Sequence, residues 1–282
     1  MRAGGLEYLG LVTDLLQRQR VADATAGLWE AADLQWWYTR DPHPSEEDAV
    51  FWVDGGGAPV VAAVFTRWSA TRYGCDVLGD SSQGRAWTYV RERCAGLGRA
   101  SVEMAAAPDD EVTAREAERA GFTEVGESYE IDWLAATDRP GRRQLPVGYT
   151  LLARPEQTGP HPMVKRNGDA VEARLQQCSL YDPRLDLAVG APDGQIAAYA
   201  MFWADRRTGV GLVEPMRVED EHSGRGVAAG LLRAGLDRLA ERGCQELKVS
   251  HDRDNEPARR LYHGAGFRAR TEASTLVRPA TE

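Results

Sequence analysis

Hydrophobic and polar positions follow a clear order in the second half of the chain. Apolar residues recur at helical spacing over about residues 227–242, which predicts an amphipathic helix that ends at Gly243. Its apolar positions are Val227, Leu231, Leu232, Leu236 and Leu239. A second helix is predicted between Asn255, a preferred capping residue, and Gly266. Alternating or apolar runs predict strands at 149–154, 184–190, 195–205, 209–218, 245–250 and 273–279.

The first half shows a similar order of elements. Its pattern predicts a hairpin at 49–68, strands at 72–79 and 99–106, and helices at 83–97 and 110–122. Gly98 and Gly121, near the ends of these two helices, match Gly243 and Gly266 at one offset of 145 residues. The shared order and the common offset indicate an internal duplication.

A linker is predicted between the halves. Residues 135–148 contain two prolines and two glycines, and they show no hydrophobic period. Strand-like stretches precede and follow them. We therefore place a domain boundary near residue 142 and predict two domains, 1–141 and 142–282.

Composition narrows the classes of function. The chain is 43% hydrophobic and 27% charged, which is typical of a globular protein with a sizeable core. Its formal net charge of -9 disfavours nucleic-acid binding. The sequence contains no run of about 18 apolar residues, so we expect no membrane span. The beginning of the sequence lacks the pattern of a signal peptide. The four cysteines lie far apart, with no CxxC or HxxxH pair, so we expect a cytoplasmic protein with reduced cysteines and no bound metal.

The stretch SGRGVAA, residues 223–229, lies where the long helix begins. Gly224 and Gly226 leave the backbone bare, and Arg225 lies between them. Unpaired N–H groups and the positive end of the helix dipole favour an anion here, so the loop predicts a phosphate cradle. A tight turn into the helix explains the glycines equally well. The loop also matches the dinucleotide fingerprint GxGxxA, but five polar residues separate it from its strand, which disfavours that ligand.

Two segments together carry a family resemblance. MRVEDEHSGRGVAAGLL followed by NEPARRLYHGAGF resembles the two signature segments of the GNAT superfamily of acyl-CoA N-acyltransferases. The second segment matches the family pattern at Asn255, Ala258, Tyr262, Gly266 and Phe267. The first departs from it at Ser223, where the family has Gln or Arg. This departure either lowers affinity for the phosphates or is compensated by Arg225. The strong resemblance covers about residues 149–278, and a weaker one covers most of the first half.

The resemblance implies acetyl-CoA as cosubstrate, with its pyrophosphate on the amides of the helix start and its pantetheine arm along the preceding strand. The cofactor-binding residues that it implies are Met216, Arg217, Val218, Ser223, Gly224, Arg225, Gly226, Val227, Ala228, Ala229 and Asn255. Asn255 is also expected to cap its helix.

Two residues are candidates for the proton transfers, one from the resemblance and one from the strand pattern. Tyr262 matches the general acid that protonates the leaving thiolate, with packing on the core as the alternative. Glu214 is our choice of general base, because strand alternation would place it on one face with Met216 and Val218. A surface carboxylate is an equally good explanation of Glu214.

We therefore expect an α+β protein of two tandem acyltransferase-fold domains, each a mixed, mostly antiparallel sheet flanked by helices. The second domain would transfer an acetyl group from acetyl-CoA to a small-molecule primary amine, and binding of acyl-CoA without turnover is the alternative. In the first domain, the offset of 145 replaces Gly226 by Ser81, Arg225 by Asp80 and Tyr262 by Ala117. We therefore expect the first domain to be degenerate and to bind no acetyl-CoA.

Overall fold

The computed structural model of the protein describes residues 1–40, 45 and 48–280. By its internal contacts the chain divides into unit 1, which contains Met1–Tyr129 and Thr271–Glu282, and unit 2, Glu130–Arg270. The α-helices are α1 (Gly5–Ala22), α2 (Ala31–Tyr38), α3 (Gly84–Leu97), α4 (Glu111–Arg119), α5 (Val164–Asn167), α6 (Val171–Leu175), α7 (Val227–Glu241) and α8 (Glu256–Gly264). The strands are β1 (Ala49–Val53), β2 (Pro59–Arg67), β3 (Arg72–Gly79), β4 (Ser101–Ala106), β5 (Thr123–Ala135), β6 (Thr150–Ala153), β7 (Asp186–Gly190), β8 (Ile196–Asp205), β9 (Val210–Val218), β10 (Glu246–Asp252) and β11 (Arg268–Arg278).

Unit 1 is built on the strand order β1-β2-β3-β4-β11. Its neighbouring strands run antiparallel except for the parallel pair β3 and β4. On this sheet α3 buries Trp87, Val90 and Cys94 against Phe65 of β2. Helices α1 and α2, for which we made no prediction, pack against each other, and α1 also contacts β2.

Unit 2 repeats this plan with the order β6-β7-β8-β9-β10-β5. Here too the strands β6 to β9 pair antiparallel, and β9 and β10 are parallel. The predicted fold class, with mixed and mostly antiparallel strands flanked by helices in each half, is confirmed. Among the described residues, no helix has the length and apolar character needed to cross a bilayer.

Helix α7 is held close to the sheet of unit 2. Its predicted apolar positions are all buried in one core. Gly235 allows the close approach, since a Cβ at this position would meet the Phe202 ring of β8 at 2.0 Å. Any side chain at residue 235 would therefore push the helix away from β8.

The compact units differ from the predicted ranges 1–141 and 142–282. The chain leaves unit 1 after Tyr129, within β5, and returns to it at Thr271, within β11. The end of β11 pairs with β4 over Ser274–Arg278. The difference arises because the closing strand of each half belongs partly to the other half's unit, which no local pattern in the sequence reveals.

The internal offset of 145 residues holds only for part of the repeat. It relates β4 to β10 and α4 to α8, but the loop before the long helix comprises residues 80–83 in unit 1 and residues 219–226 in unit 2. The capping position that Gly226 occupies in α7 is taken by Gln83 in α3. The equivalence of Gly226 with Ser81 was therefore wrong, because the shorter loop introduces a gap.

Candidate functional site

The glycine-rich loop of unit 2 forms the start of α7. Gly226 is the N-cap residue and has a φ of 83°, and Gly224 has a φ of 71°, so both adopt a left-handed conformation that favours glycine. No side chain caps the helix. The first N–H groups of α7 have no partner within the helix and lie at the positive end of its dipole. The loop therefore has the properties of an anion site.

An arginine outside the predicted set lies beside this loop. The Nη2 atom of Arg143 is 3.5 Å from the position that a Cβ would occupy at Gly226. Two residues later, Leu145 covers the first turn of α7, where a Cβ at Gly230 would meet its Cδ2 atom at 2.6 Å. The segment around Arg143 therefore crosses the helix start and brings a second cation to it, besides Arg225.

Ion pairs hold this segment against α7. Arg139 Nε lies 2.9 Å from Asp237 Oδ1, and Arg142 Nε lies 3.1 Å from Asp237 Oδ2. Arg142 also reaches Glu241 at 3.2 Å. We predicted a linker here because the segment has no hydrophobic period. The only signal for docking was its series of arginines opposite the acidic residues of α7.

The strands β9 and β10 pair over Val210–Leu212 and Glu246–Lys248, and the register extends no further. Met216, Arg217 and Val218 therefore lie on the part of β9 beyond this pairing, and they lead into the loop before α7. Such an opening between parallel strands leaves backbone groups of β9 free for a ligand. It lies where the predicted pantetheine arm would run.

Glu214 does not share a face with Met216 and Val218, contrary to our prediction. The register pairs Val213 with Phe202 and Met216 with Ala200, so Glu214 and Pro215 together oppose one residue of β8. This bulge shifts the alternation by one and places Glu214 opposite Met201 instead. Pro215 was the available signal, because proline within a strand is confined to edges, strand starts and bulges.

Tyr262 lies on α8, in contact with the core of unit 2. It is 7% exposed, and its ring stacks on His251 at 5.6 Å between centroids. Burial raises the pKa of Tyr262 well above its usual value, the Glu214 carboxylate raises it further, and Arg217 opposes both. Tyr262 is therefore protonated at neutral pH, and Glu214 is close enough to influence it electrostatically.

The remaining predicted residues have simpler surroundings. Asn255 caps α8, since its side-chain oxygen accepts a hydrogen bond from Ala258 N at 3.1 Å. Ser223 is exposed and follows a short 3-10 turn at Asp220–His222. In that turn, His222 Nδ1 lies 2.9 Å from the Tyr149 hydroxyl. The capping role of Asn255 is confirmed, and its contact with a cofactor stays a prediction.

Unit 1 contains a cavity of about 390 Å³ beside the loop before α3. It is lined by the end of β3, by β4 and by the start of α4. Trp29 Nε1 donates a hydrogen bond of 2.8 Å to Asp76 on its wall. Burial raises the pKa of Asp76 to about 7, the bond from Trp29 opposes this, and Asp33 adds to it. Carboxylates line this cavity, whereas arginines lie at the cradle of unit 2.

Comparison with known proteins identifies the family of the second half. Residues 149–267 match the acetyltransferase (GNAT) family. These residues form a GNAT acetyltransferase domain. The cradle before α7 and Tyr262 of α8 both lie within the matched range.

The chain also resembles individual members of this family. It is 38% identical over 88 residues to the mycothiol acetyltransferase of Clavibacter michiganensis subsp. michiganensis, which is 31% of this chain and 28% of the relative. It is 28% identical over 212 residues to the mycothiol acetyltransferase of Kocuria rhizophila, covering 67% and 69%. It therefore spans less than a third of the first relative and about two thirds of the second.

The fold of the whole chain is similar to that of a tandem GNAT protein from the clavulanic acid biosynthesis pathway. The TM-score is 0.67 at 17% identity, and the match covers 100% of this chain and 98% of the other. This likeness extends the GNAT fold to both halves.

Proposed function

We propose that unit 2 transfers an acetyl group from acetyl-CoA to the primary amine of a small molecule. One observation carries the proposal. The loop 219–226 joins the open end of β9 to the uncapped start of α7, where Arg143 lies beside Gly226, and Glu214 of β9 is within electrostatic range of Tyr262. This combination of an anion site, a proton donor and a carboxylate supports the proposed transfer.

The residues at the cradle fit the diphosphate of a coenzyme A ester. The bare backbone of Gly224 and Gly226 lets phosphate oxygens approach the amides, and Arg143 and Arg225 supply positive charge. Ser223 supplies neither the length of the Gln or Arg found in the family nor the charge of Arg. We therefore assign to Arg143 the compensation that the sequence alone suggested for Arg225.

The reaction forms one C–N bond and breaks one C–S bond. Glu214 takes the proton of the attacking amine, directly or through water. Tyr262 is protonated at neutral pH and donates its proton to the leaving thiolate. A backbone N–H of the open part of β9 polarises the thioester carbonyl.

The acceptor belongs on the face of β8 and β9 that Glu214 occupies. Tyr199 lies on this face of β8, and its buried hydroxyl has no hydrogen-bond partner among the described residues. Arg166 of α5 and Arg217 are near enough to lower its pKa against the effect of burial. A small polar molecule that satisfies Tyr199 fits this site. Because two relatives are mycothiol acetyltransferases, a mycothiol-related amine is the first acceptor to test.

The test measures release of free thiol from acetyl-CoA with a panel of primary amines. We expect amine-dependent release by the native chain, and slower release by Glu214→Gln, most of all at low pH, where deprotonating the amine is hardest. The mass of the amine should increase by that of one acetyl group. Thiol release that is independent of every amine tested would contradict the transferase function.

A second function, binding of acyl-CoA without turnover, is favoured only by the departure at Ser223. In that case calorimetry would detect acetyl-CoA binding, no amine would be acetylated, and Tyr262→Phe would change nothing that can be measured.

A further inference from the structure

Four side chains with metal-binding atoms converge next to Tyr262. They are Glu130 and Asp132 of β5, His251 of β10 and His263 of α8, all within unit 2. His263 Nε2 lies 3.0 Å from Asp132 Oδ2 and 3.8 Å from Glu130 Oε2. His251 Nε2 lies 3.3 Å and 3.7 Å from the same two oxygens. One atom from each of the four residues lies within 4.8 Å of all the others.

The fold brings these residues together from three elements. Glu130 and Asp132 are two positions apart on β5, so they share a face. The neighbouring strand β10 presents His251 beside them, and α8 places His263 over both strands. Because the ligands come from distant parts of the sequence, they leave no spacing motif, and this is why we predicted that the chain binds no metal.

The cluster does not satisfy its own polar atoms. Asp132 is fully buried and Glu130 is 9% exposed. Glu130 Oε2, Asp132 Oδ1 and His263 Nε2 are buried and have no hydrogen-bond partner among the described residues. The contact of His263 with Asp132 is thus short without being a hydrogen bond. Leaving such groups unpaired costs about 1–3 kcal/mol each, and more for charged ones. Within the cluster His251 Nε2 and Asp132 Oδ2 share a hydrogen bond of 3.3 Å, and the other three atoms stay unsatisfied.

We propose that Glu130, Asp132, His251 and His263 form a Zn²⁺ site. Zinc takes four nitrogen, oxygen or sulfur ligands in a tetrahedron, at about 2.0–2.2 Å for imidazole and carboxylate, which sets the ligand atoms about 3.3–3.5 Å apart. The four separations between imidazole nitrogens and carboxylate oxygens, 3.0–3.8 Å, lie around this value. Two imidazoles exclude Ca²⁺ and Mg²⁺, which prefer oxygen ligands. With four protein ligands the site has no open position, so its role is structural.

The site would fix the helix that carries Tyr262. His263 follows Tyr262 directly on α8, and His251 stacks on the Tyr262 ring. A bound Zn²⁺ therefore ties α8 to β5 and β10 and holds Tyr262 in place. This inference concerns the ligand cluster alone and does not depend on the proposed reaction, since metal binding is measured without substrate.

Arg259 competes with the metal for Glu130. Its Nε atom lies 3.5 Å from Glu130 Oε2, and its side chain is 48% exposed, so it can move away. Zinc replaces this positive charge as the partner of the two carboxylates. Removing Arg259 should therefore strengthen metal binding, whereas it would only weaken a cluster held together by ion pairs and protons.

The test is a titration of the metal-stripped full chain with Zn²⁺ and, in parallel, with Co²⁺. We expect one Zn²⁺ per chain and the intense visible absorption of tetrahedral Co²⁺. His263→Gln should lower the affinity at least about tenfold, since even changes in residues that only orient a ligand cost 10–100-fold. Asp132→Asn should do the same. Asp132 is fully buried, so Asp132→Asn is the variant more prone to unfold. His263 is 29% exposed, so His263→Gln should fold and keeps the test decisive.

Two substitutions on α8 give the matched comparison. Arg259→Gln should bind Zn²⁺ more tightly than the native chain. Arg260→Gln is the control, because Arg260 pairs with Glu256 at 3.4 Å and lies outside the cluster, and its affinity should be unchanged. The proposal is overturned if the native chain binds no Zn²⁺, or if a folded His263→Gln variant binds it with native affinity and the same Co²⁺ spectrum.

Discussion

Arg143 lies beside Gly226, with its Nη2 atom 3.5 Å from the position that a Cβ would occupy there. The two residues come from different segments, and only the docking of residues 139–145 on α7 brings them together. Through this contact a positive side chain reaches the bare amides of the helix start. It provides a charge that the residue at position 223, a serine, lacks.

The first prediction concerns this arginine. Arg143→Gln should lower the affinity for acetyl-CoA at least about tenfold, because a hydrogen bond to a charged group contributes about 1.5–3 kcal/mol. Arg142→Gln is the matched control. The Arg142 side chain is 74% exposed and pairs with Asp237 and Glu241. When Arg142 is replaced, Arg139 still anchors the segment to Asp237. Calorimetry on both variants measures the difference. Equal affinities would remove Arg143 from the cradle.

The second prediction separates backbone strain from charge at Gly226. With a φ of 83°, any other residue is strained, by about 1–2 kcal/mol. A Cβ would otherwise meet only Arg143 at an ordinary distance. Gly226→Ala should therefore lower the free energy of unfolding by about that amount and weaken binding of acetyl-CoA.

Gly226→Glu should unfold as easily as Gly226→Ala but bind no acetyl-CoA detectable by calorimetry, because its carboxylate repels the phosphates. The comparison of the two variants isolates this repulsion. Native affinity in Gly226→Glu would show that the phosphates lie elsewhere.

These two residues illustrate what the sequence could and could not predict. The glycines and the apolar face of α7 are local signals, and the helix begins and ends within one or two residues of the predicted positions. Arg143 acts through tertiary docking of a segment without hydrophobic period, so its role could not be predicted from the pattern. Strand alternation failed at Glu214 for a related reason, because a bulge is set by the pairing of two strands.

The third prediction concerns Tyr262. Tyr262→Phe should keep the affinity for acetyl-CoA and lower turnover. General acid catalysis is typically worth about 10²–10⁴-fold, and we expect a loss at or below the low end, since a thiol with a pKa of about 8.5 already leaves well. The phenyl ring preserves the stacking on His251 and the edge contact with Phe267, so the fold should be unchanged. Full turnover with a good acceptor would mean that Tyr262 serves only the core.

The fourth prediction is a pH dependence of stability that arises in unit 1. Burial raises the pKa of Asp76 to about 7, whereas in the unfolded chain it ionises near 4. Between these values the folded chain binds one proton more than the unfolded chain. The contribution of Asp76 to the free energy of unfolding is thus greatest below about pH 4. It falls as the pH rises to about 7, by about 4 kcal/mol at most.

Asp76→Asn should therefore flatten the fall in stability between about pH 4 and 7, and it should be more stable than the native chain at pH 8. Urea unfolding followed by circular dichroism at a series of pH values measures this. Asp80→Asn is the control, because hydrogen bonds from Gln83 and Ser82 lower the pKa of Asp80, which gives a dependence of opposite sign. An unchanged slope in Asp76→Asn would assign the pH dependence to other groups.

The last prediction is that the chain binds one acetyl-CoA, in unit 2. In unit 1 the loop before α3 comprises only residues 80–83, and its capping residue is Gln83, with a φ of -71°, in place of a left-handed glycine. Asp80 closes this loop by accepting hydrogen bonds from Ser82 and Gln83. Side chains and a carboxylate thus occupy the place where, in unit 2, amides and arginines would contact the phosphates.

The cavity beside this loop adds to the repulsion. Asp76, Asp109 and Asp110 line it, so a pyrophosphate there would face carboxylates within a few ångströms. Tyr262 has Ala117 as its counterpart, and the offset of 145 holds for these two helices, so the proton donor is absent as well. Calorimetry should give a stoichiometry of one for the native chain and no binding for Gly226→Glu. Two equivalent sites in the native chain, or residual stoichiometric binding in Gly226→Glu, would place a working cradle in unit 1.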